Sequence, residues 1–455
     1  MNHNDEQKTL FLNYLDKHIF SYWRGEGGEQ GYEAELELTV TPTCNTKCVY
    51  CYYNNFAEKY IYPKEINCTE NIIKNCEEVM KWLKKNNYRP RAIEIFSGEF
   101  INLPYCQTIL DIIDKYAAKG TEVVIPTNGT FCRSEKTLEK AQRLLDEYNP
   151  SCENHNIFIF YSLSVDGKYL DNDTRAMKSG TQYDDAFYDR LFTFAAKNHL
   201  LFHPMVGALG IDKWPNNYDW YIKNVMDYFH CDERTAFRKI YLLEVRNPDW
   251  TAGECEDMER FVNYLVDKTF KAYNSDVECY WKNFLTSRNN FNFFSGLLTT
   301  CGRGLGCSIQ QCFAVRLGDL ALIPCHRTAY KGYNACYLKF DEDSNLDIEI
   351  ENPNMYMFIQ SFDAKNGVMC SDCPISSMCS HYCLGANYEV NKDFFIPVKS
   401  VCLMEYAKAK SLVEAFDRIG VLPKILELYS HSYNQESKLK LAQITNLIKV
   451  IKENR

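Results

Sequence analysis

The chain has 455 residues, of which 46% are hydrophobic and 24% are charged, and its formal net charge is −9. This composition is typical of a globular protein, and the acidic balance argues against a nucleic-acid partner, which would favour a basic surface. The amino-terminal residues lack the basic and apolar segments of a signal peptide, and no apolar run reaches the roughly 20 residues of a membrane helix. We therefore expect a cytoplasmic protein with neither a membrane nor a nucleic-acid partner.

Alternating apolar residues predict strands in the first half of the chain, at 35–41, 92–96, 122–129, 156–167, 200–208 and 238–246. Apolar residues three and four positions apart predict helices between them, at 70–85, 105–120, 134–148, 183–199 and 216–229. Strands that alternate with helices form a parallel sheet. Six such units are too few for a closed eight-unit barrel, so we predict an α/β fold with a partial (β/α)6 TIM-like barrel.

Four polar motifs lie at or directly after the ends of the first four predicted strands. They are the cysteine triplet Cys44, Cys48 and Cys51, the stretch 97–99, the stretch 127–129 and the stretch 164–167. In barrels of this type, chemistry gathers at the carboxyl ends of the strands. We therefore expect functional residues in all four motifs.

Cysteine is unusually frequent, with 21 residues in the chain. Without a secretion signal the thiols are expected to stay reduced, so clustered cysteines favour metal binding over disulfides. The clusters lie at 44–51, at 301–325 and at 370–383, and Cys402 follows the last of them.

The spacing Cys44-x3-Cys48-x2-Cys51, with the aromatic Tyr50 before the last cysteine, resembles the signature of radical S-adenosylmethionine (SAM) enzymes. In that family three thiolates hold a 4Fe–4S cluster, and the iron without a thiolate chelates the amino and carboxylate groups of S-adenosylmethionine. Electron transfer then cleaves the cofactor to a 5′-deoxyadenosyl radical, which abstracts a hydrogen atom from the substrate. The alternative for the triplet is half of a zinc site or a chance cluster.

The resemblance also implies cofactor contacts at the ends of the second to fourth strands. The segment 96–100 resembles the family's GGEP motif, in which Gly98 permits close approach and Glu99 accepts a hydrogen bond from the cofactor ammonium; serine and phenylalanine replace the first glycine and the proline. Ser164 and Arg175 match a serine and an arginine that contact the cofactor, and Asn128 would reach its ribose. The alternatives are an exposed acid at Glu99, local capping or pairing by Ser164 and Arg175, and a turn residue at Asn128.

The second half of the chain resembles the SPASM domain, whose members bind two auxiliary 4Fe–4S clusters. The pattern Cys370-x2-Cys373-x5-Cys379-x3-Cys383, then Cys402, carries this resemblance. Carried over by order, the first auxiliary cluster takes Cys301, Cys307, Cys325 and Cys383. The second takes Cys370, Cys373, Cys379 and Cys402. Zinc is the alternative metal, and Cys312 is close enough to replace Cys301 or Cys307.

These patterns predict five segments: an amino-terminal extension (1–34), the radical SAM partial barrel (35–246), a helical connector (247–300), the SPASM domain (301–403) and carboxy-terminal helices (404–455). Radical SAM enzymes with SPASM domains mostly modify peptides, so the resemblance implies a maturase of a ribosomally made peptide. It also implies an electron donor such as a flavodoxin or ferredoxin. The alternatives are oxidation of a residue in a protein such as a sulfatase, and a non-catalytic iron–sulfur carrier or peptide-binding scaffold. Sulfatase-activating relatives place a catalytic aspartate where this chain has His326, which argues against that activity.

Overall fold

The computed structural model describes residues 3–26, 34–55, 68–149, 154–286, 291–298, 312–329, 333–363, 367, 369–379, 383–432 and 434–453. The chain divides into two compact units. The first consists of Met1–Ser164, Met177–Thr181 and Ser308–Phe362. The second consists of Val165–Ala176, Gln182–Cys307 and Asp363–Arg455. Among the helices of the described ranges, we find none with the length and apolar character needed to cross a membrane.

A parallel sheet forms the centre of the first unit. Its first strands are β1 (Glu35–Thr39), β2 (Ala92–Phe96), β3 (Thr121–Thr127) and β4 (Ile157–Leu163), each parallel to the next. The helices between them are Thr69–Lys85, Cys106–Tyr116 and Glu135–Tyr148. The predicted alternation of parallel strands and helices is therefore confirmed for this part of the chain.

Strands from the cysteine-rich region extend the same sheet. They are β8 (Cys312–Arg316), β9 (Ala321–Ile323), β10 (Cys336–Phe340) and β11 (Leu346–Ile350). In the first unit the strand order is β11-β10-β9-β8-β1-β2-β3-β4, with β8 parallel to β1 and the remaining three strands antiparallel to their neighbours. The helices His3–Leu15 and Pro353–Ser361 also belong to this unit. The predicted domain boundaries at 246 and 301 stay predictions.

The two faces of this sheet differ because side chains alternate along a strand. One face carries apolar residues such as Leu36, Ile93 and Val123, which are fully buried. The opposite face carries charged residues, among them Glu37 on β1 and Glu94 on β2, which are register partners.

The second unit is mostly helical. Its short strands are β5 (Leu201–Phe202), β6 (Met205–Val206) and β7 (Leu243–Glu244), of which β6 and β7 pair in parallel. The predicted strand 200–208 is divided, and Pro204, which has no N–H to donate, stands at the break. The predicted strand 238–246 is reduced to the two residues of β7.

The longer helices of the second unit are Asp185–Lys197, Trp214–Phe229, Ala252–Ala272, Lys399–Arg418, Leu422–Ser430 and Gln435–Glu453. The last three confirm the predicted carboxy-terminal helices. Ala252–Ala272 packs along Lys399–Arg418, and the side chains of Glu259 and Lys410 form an ion pair of 3.2 Å between them.

Candidate functional site

The cysteine loop that follows β1 is bound to the end of β2 through the backbone. The Gly98 N–H donates to the carbonyl oxygen of Thr41 at 2.7 Å, and the Glu99 N–H donates to that of Thr43 at 3.0 Å. The hydroxyl of Ser97 donates to the same Thr41 oxygen at 3.1 Å. The residues before Cys44 therefore continue the pairing of β1 with β2 beyond the regular sheet.

Gly98 is required by this close approach. A Cβ atom at this position would lie 2.1 Å from the carbonyl oxygen of Thr43 and 2.6 Å from that of Pro42. Both neighbours are backbone atoms, so they cannot rotate away as a flexible side chain would. The sequence predicted close approach at Gly98, and the group that approaches is the backbone of the cysteine loop.

Glu99 is buried, with 1% of its surface exposed, and it connects the ends of β2 and β3. Its carboxylate accepts hydrogen bonds from the Thr127 hydroxyl at 2.7 Å and from the Asn128 N–H at 2.8 Å. The alternative of an exposed strand-end acid is therefore wrong. A contact between the Glu99 carboxylate and a cofactor ammonium stays a prediction.

Asn128 connects the end of β3 to the cysteine loop. Its amide nitrogen donates to Asn45 Oδ1 at 2.9 Å and lies 3.6 Å from the sulfur of Cys44. Its amide oxygen accepts from the Thr130 N–H at 3.0 Å. Asn128 is thus a turn residue that also contacts the first cysteine of the triplet.

Two of the three thiols of the triplet share one hydrogen-bonding neighbour. The hydroxyl oxygen of Thr46 lies 3.2 Å from the sulfur of Cys44 and 3.5 Å from that of Cys48. The Cys51 N–H donates to the carbonyl oxygen of Cys48 at 3.1 Å, which closes a turn that contains Tyr50.

The donor set of this loop fits an iron–sulfur cluster. Three thiols within eight positions, two of them contacted by the Thr46 hydroxyl, match the thiolate ligation and the hydrogen bonds to sulfur that such clusters use. Within the described ranges, no three cysteine, histidine or acidic side chains are already gathered as a metal-binding group.

Ser164 lies at the end of β4 beside these motifs. Its N–H donates to the carbonyl oxygen of Thr127 at 2.8 Å, and its side chain is half-buried. The first unit therefore brings together the ends of four strands, with Cys44, Glu99, Asn128 and Ser164 among the residues at this edge.

Arg175 belongs to the second unit, where it is buried next to two carboxylates. Its guanidinium lies 3.8 Å from Asp166 and 3.9 Å from Asp171. Burial and the charge of Asp166 raise the pKa of Asp171 to about 7, although Arg175 and a hydrogen bond from the Tyr188 hydroxyl act in the opposite direction. The alternative of a local ion pair thus has support, and a contact between Arg175 and a cofactor stays a prediction.

The predicted auxiliary ligands are described in part. Cys301 and Cys307 lie outside the described residues. In the second unit, burial and the neighbouring thiols of Cys370 and Cys373 raise the pKa of Cys402 to about 11, so these three thiols lie near one another. The other predicted ligands, Cys325, Cys379 and Cys383, are partly buried and carry no disulfide.

Cys312 lies at the start of β8, and its position bears on the alternative ligand sets. It is fully buried, and its thiol is hydrogen-bonded to the carboxylate of Glu37. Burial and this carboxylate raise the pKa of Cys312 well above its usual value. Its environment therefore favours the protonated thiol.

Sequence reasoning missed the contact between Glu37 and His326. The Nδ1 atom of His326 lies 3.1 Å from the Glu37 carboxylate, and the His326 backbone N–H donates to the same oxygen at 2.9 Å. The imidazole stacks on Phe96, with 3.6 Å between ring centroids and 14° between planes. Burial alone would raise the pKa of Glu37, but His326 and the Cys312 thiol hold it below its ordinary value. In the sequence, the alternating acids Glu35 and Glu37 of β1 were the signal that a carboxylate on this strand needs a partner.

Comparisons with known proteins identify part of the chain. Residues 38–161 match the family model of the Radical SAM superfamily. A search of curated proteins gave no match. The matched stretch includes Cys44, Cys48, Cys51, Glu99 and Asn128.

Two solved structures of anSMEcpe share the fold. A histidine-tagged form of anSMEcpe with bound AdoMet has a TM-score of 0.54 at 15% identity, covering 90% of this chain and 98% of that chain. Native anSMEcpe with bound AdoMet has a TM-score of 0.52 at 14% identity, covering 88% and 100%. Streptococcus suis SuiB bound to S-adenosylmethionine has a TM-score of 0.45 at 15% identity, covering 87% and 78%. The likeness to the two anSMEcpe structures confirms the predicted fold class, a mixed α/β partial TIM-like barrel with carboxy-terminal helices.

Proposed function

We propose that the protein is a radical SAM enzyme that modifies a ribosomally made peptide. The observation that carries this proposal is the construction of the cysteine loop. Gly98 admits its backbone, Asn128 and Thr46 contact its sulfurs, and the buried Glu99 braces the adjoining strand ends. The radical SAM match over residues 38–161 and the shared fold of anSMEcpe, which has AdoMet bound, support the same conclusion.

In this proposal Cys44, Cys48 and Cys51 hold a 4Fe–4S cluster and leave one iron for S-adenosylmethionine. When bound, the cluster and cofactor would supply a 5′-deoxyadenosyl radical that abstracts a hydrogen atom from the peptide. Glu99 would accept a charge-assisted hydrogen bond from the cofactor ammonium.

The remaining cofactor contacts are proposed from the resemblance to the family. Asn128 would contact the ribose, and Ser164 and Arg175 would contact the cofactor. The forked guanidinium of Arg175 is suited to the cofactor carboxylate. Gly98 would keep the strand end close, and Tyr50 would lie beside the cluster.

The cysteine-rich region would hold two auxiliary 4Fe–4S clusters. Cys301, Cys307, Cys325 and Cys383 would hold one, and Cys370, Cys373, Cys379 and Cys402 the other. The proximity of three thiols of the second set supports this assignment. A flavodoxin or ferredoxin would deliver the electrons, and the peptide would be the substrate. The change in mass of that peptide would identify the crosslink or other modification.

Anaerobic reconstitution tests the proposal. The wild type should produce 5′-deoxyadenosine from S-adenosylmethionine and a low-potential reductant, and it should bind about twelve iron atoms per chain. Replacing Cys44, Cys48 and Cys51 together by alanine should abolish the product and leave about eight iron atoms. Replacing the scattered cysteines Cys231 and Cys279 should change neither quantity.

The outcomes separate the candidate functions. A wild type that binds iron but does not cleave S-adenosylmethionine would favour a non-catalytic electron carrier or scaffold. A wild-type iron content near four would remove the auxiliary clusters. Mass spectrometry of peptides encoded beside the gene, after coexpression, should show a mass change only with the intact cysteine triplet.

A further inference from the structure

One side chain of the last helix lies against a cysteine-bearing loop of the second unit. We call residues 370–379, which carry three of the predicted auxiliary ligands, the auxiliary loop. Its second half forms consecutive turns, in which the Cys379 N–H donates to the carbonyl oxygen of Ile375 at 2.8 Å. Gln443 of the helix Gln435–Glu453 contacts these turns. Both the auxiliary loop and this helix belong to the second unit.

Gln443 forms four hydrogen bonds to the auxiliary loop. Its amide oxygen accepts from the Ser377 N–H at 3.0 Å and from the Ser377 hydroxyl at 2.7 Å. Its amide nitrogen donates to the carbonyl oxygen of Cys373 at 3.0 Å and to the Ser376 hydroxyl oxygen at 2.9 Å. A backbone N–H can only donate and a backbone carbonyl can only accept, so these partners fix the orientation of the amide.

These hydrogen bonds are formed away from solvent. Gln443, Ser376 and Ser377 are all buried. A buried donor or acceptor that loses its partner keeps the full cost of its removal from water. The conformation of the auxiliary loop and the position of Gln443 therefore depend on each other.

The buried face of the last helix is more polar than packing alone requires. Its members are Ser437, Lys440, Gln443, Ile444, Leu447 and Ile451. A helix that only covered a core would present apolar residues on this face. Polar residues at such positions are costly unless they have specific partners, and Gln443 finds its partners in the auxiliary loop.

A second polar residue of this face supports the loop indirectly. The Nζ atom of Lys440 donates to the carbonyl oxygen of Gly296 at 2.8 Å. A Cβ atom at Gly296 would lie 2.3 Å from the carbonyl oxygen of Met378, the residue before Cys379, so the two backbones are in close contact. The last helix thus holds the auxiliary loop directly through Gln443 and, through Gly296, at a second point.

The same helix also packs against the helix that carries the fourth predicted ligand. Gln435–Glu453 contacts Lys399–Arg418, and Cys402 lies in the first turn of the latter. The thiols of Cys370 and Cys373 lie near that of Cys402. The last helix therefore supports both parts of the chain that supply the second set of cysteines.

We propose that Gln443 is a positioning residue for the second auxiliary cluster. Its amide would hold the auxiliary loop in the conformation in which the thiols of the loop meet Cys402. This inference rests on the proposed function, which assigns a cluster to these cysteines. It gives the last helix a role in the assembly of that cluster.

Iron content and electron paramagnetic resonance of the anaerobically reconstituted protein test this role. Gln443→Met keeps a similar length but removes the amide, so it should lose the second auxiliary cluster and retain about eight of about twelve iron atoms. The spectrum of the reduced protein should lose the signal of one auxiliary cluster. Asn446→Leu is the matched control, because it makes the same change to an exposed amide of the same helix, and it should retain about twelve iron atoms.

Two further measurements distinguish positioning from a general contribution to stability. Gln443→Glu keeps two acceptor oxygens for Ser377 but loses the donation to Cys373, so it should retain more iron than Gln443→Met does. Hydrogen exchange is measured on the full-length chain before reconstitution. The Ser377 amide should exchange about tenfold faster in Gln443→Met than in the wild type, as the loss of one hydrogen bond implies.

The results separate this inference from the proposed function. A wild-type iron content near four would contradict the auxiliary clusters of the proposed function, and this inference with them. If the wild type and Gln443→Met have the same iron content near twelve and the same spectrum, the inference alone is overturned, even where the variant unfolds at a lower temperature. Equal iron losses in Gln443→Glu and Gln443→Met, or an unchanged exchange rate at Ser377, would also overturn it.

Discussion

Glu94 and Glu99 are near neighbours in sequence, yet their surroundings in the first unit differ. Glu99, just after β2, accepts hydrogen bonds from Thr127 and Asn128 and is almost completely buried. Glu94, within β2, has no hydrogen-bond partner in the described part of the chain, and its pKa is raised to about 8. Glu99 is part of the framework at the strand ends, and Glu94 is a carboxyl group on the sheet face that favours its protonated form.

Burial of a carboxylate therefore has two opposite consequences in this protein. A buried carboxylate with matched donors stabilises the geometry around it, because each donor would otherwise be left without a partner. A buried carboxylate without donors destabilises the protein until a cation or a proton reaches it. Glu99 stabilises the strand ends through its two donors, whereas Glu94 keeps its proton to higher pH than an ordinary carboxyl group.

The largest expected effect concerns the close contact between Gly98 and the backbone of the cysteine loop. Gly98→Ala would place a methyl group 2.1 Å from the Thr43 carbonyl oxygen, so the cysteine loop or β2 must move. We expect a loss of stability above about 4 kcal/mol, at the upper end for point mutations. Thermal unfolding and iron content should both decrease.

Gly253→Ala is the matched control for that change. Gly253 is the second residue of the helix Ala252–Ala272, and the nearest atom to an added Cβ is 3.8 Å away. Alanine has the higher helix propensity, so this variant should be as stable as the wild type or slightly more stable. Normal iron content in Gly98→Ala would contradict the close packing of the loop.

The next effect concerns Glu99 itself. Glu99→Ala leaves the Thr127 hydroxyl and the Asn128 N–H without their acceptor, which should cost about 2–4 kcal/mol. Glu99→Gln keeps a carbonyl acceptor and should cost less. Differential scanning calorimetry measures both, and equal transition temperatures for the two variants would contradict the bracing role.

Titration of S-adenosylmethionine into the Glu99 variants tests whether Glu99 contacts the cofactor. Loss of a charge-assisted hydrogen bond should weaken binding roughly 10- to 150-fold. Glu99→Gln is the informative variant, because it removes the charge with the smaller disturbance of Asn128. If Glu99→Gln binds S-adenosylmethionine as tightly as the wild type does, a residue other than Glu99 contacts the ammonium group.

A pH-dependent effect is expected at Glu94. Its folded-state pKa of about 8 exceeds the ordinary value of 4.5, so the folded chain keeps a proton that the unfolded chain releases. The stability of the protonated form is complete below pH 4.5 and is lost as the pH rises toward 8. Glu94→Gln should match the wild type near pH 5 and exceed it by roughly 1–2 kcal/mol at about pH 9, allowing for partial exposure.

Thermal unfolding between about pH 5 and pH 9 measures this difference. Glu349→Gln serves as the control, because Glu349 is an exposed acid on β11 paired with Lys339. The stability of this control should follow that of the wild type across the range. A constant difference between Glu94→Gln and the wild type at all pH values would show that Glu94 does not titrate in this window.

The smallest effect is expected at Glu122. This acid is half-buried and forms no ion pair in the described ranges, so Glu122→Gln should change the free energy of unfolding by less than about 0.5 kcal/mol. A loss above about 1 kcal/mol would mean that Glu122 is part of the framework, as Glu99 is.

The sequence predicted the first four strands and the helices between them because these segments have strong periodicity. It was less successful at 200–208, where Pro204 divides the predicted strand, and at 238–246, where pairing is limited to two residues. The strand-end rule correctly brought Cys44, Glu99 and Asn128 to one edge of the sheet. The assignments of Ser164, Arg175 and the auxiliary cysteines to cofactors stay predictions.

Features that depend on neighbours in the chain could be predicted without coordinates: the period of each strand and helix, the spacing of the cysteine triplet and the glycine before Glu99. Which side chains have partners depends instead on the folded arrangement. His326 meets Glu37 from a distant part of the chain, and Glu94 remains without a donor, because strand register and burial bring such groups together or keep them apart. The energy of a buried charge depends on those long-range contacts, and local sequence patterns do not contain them.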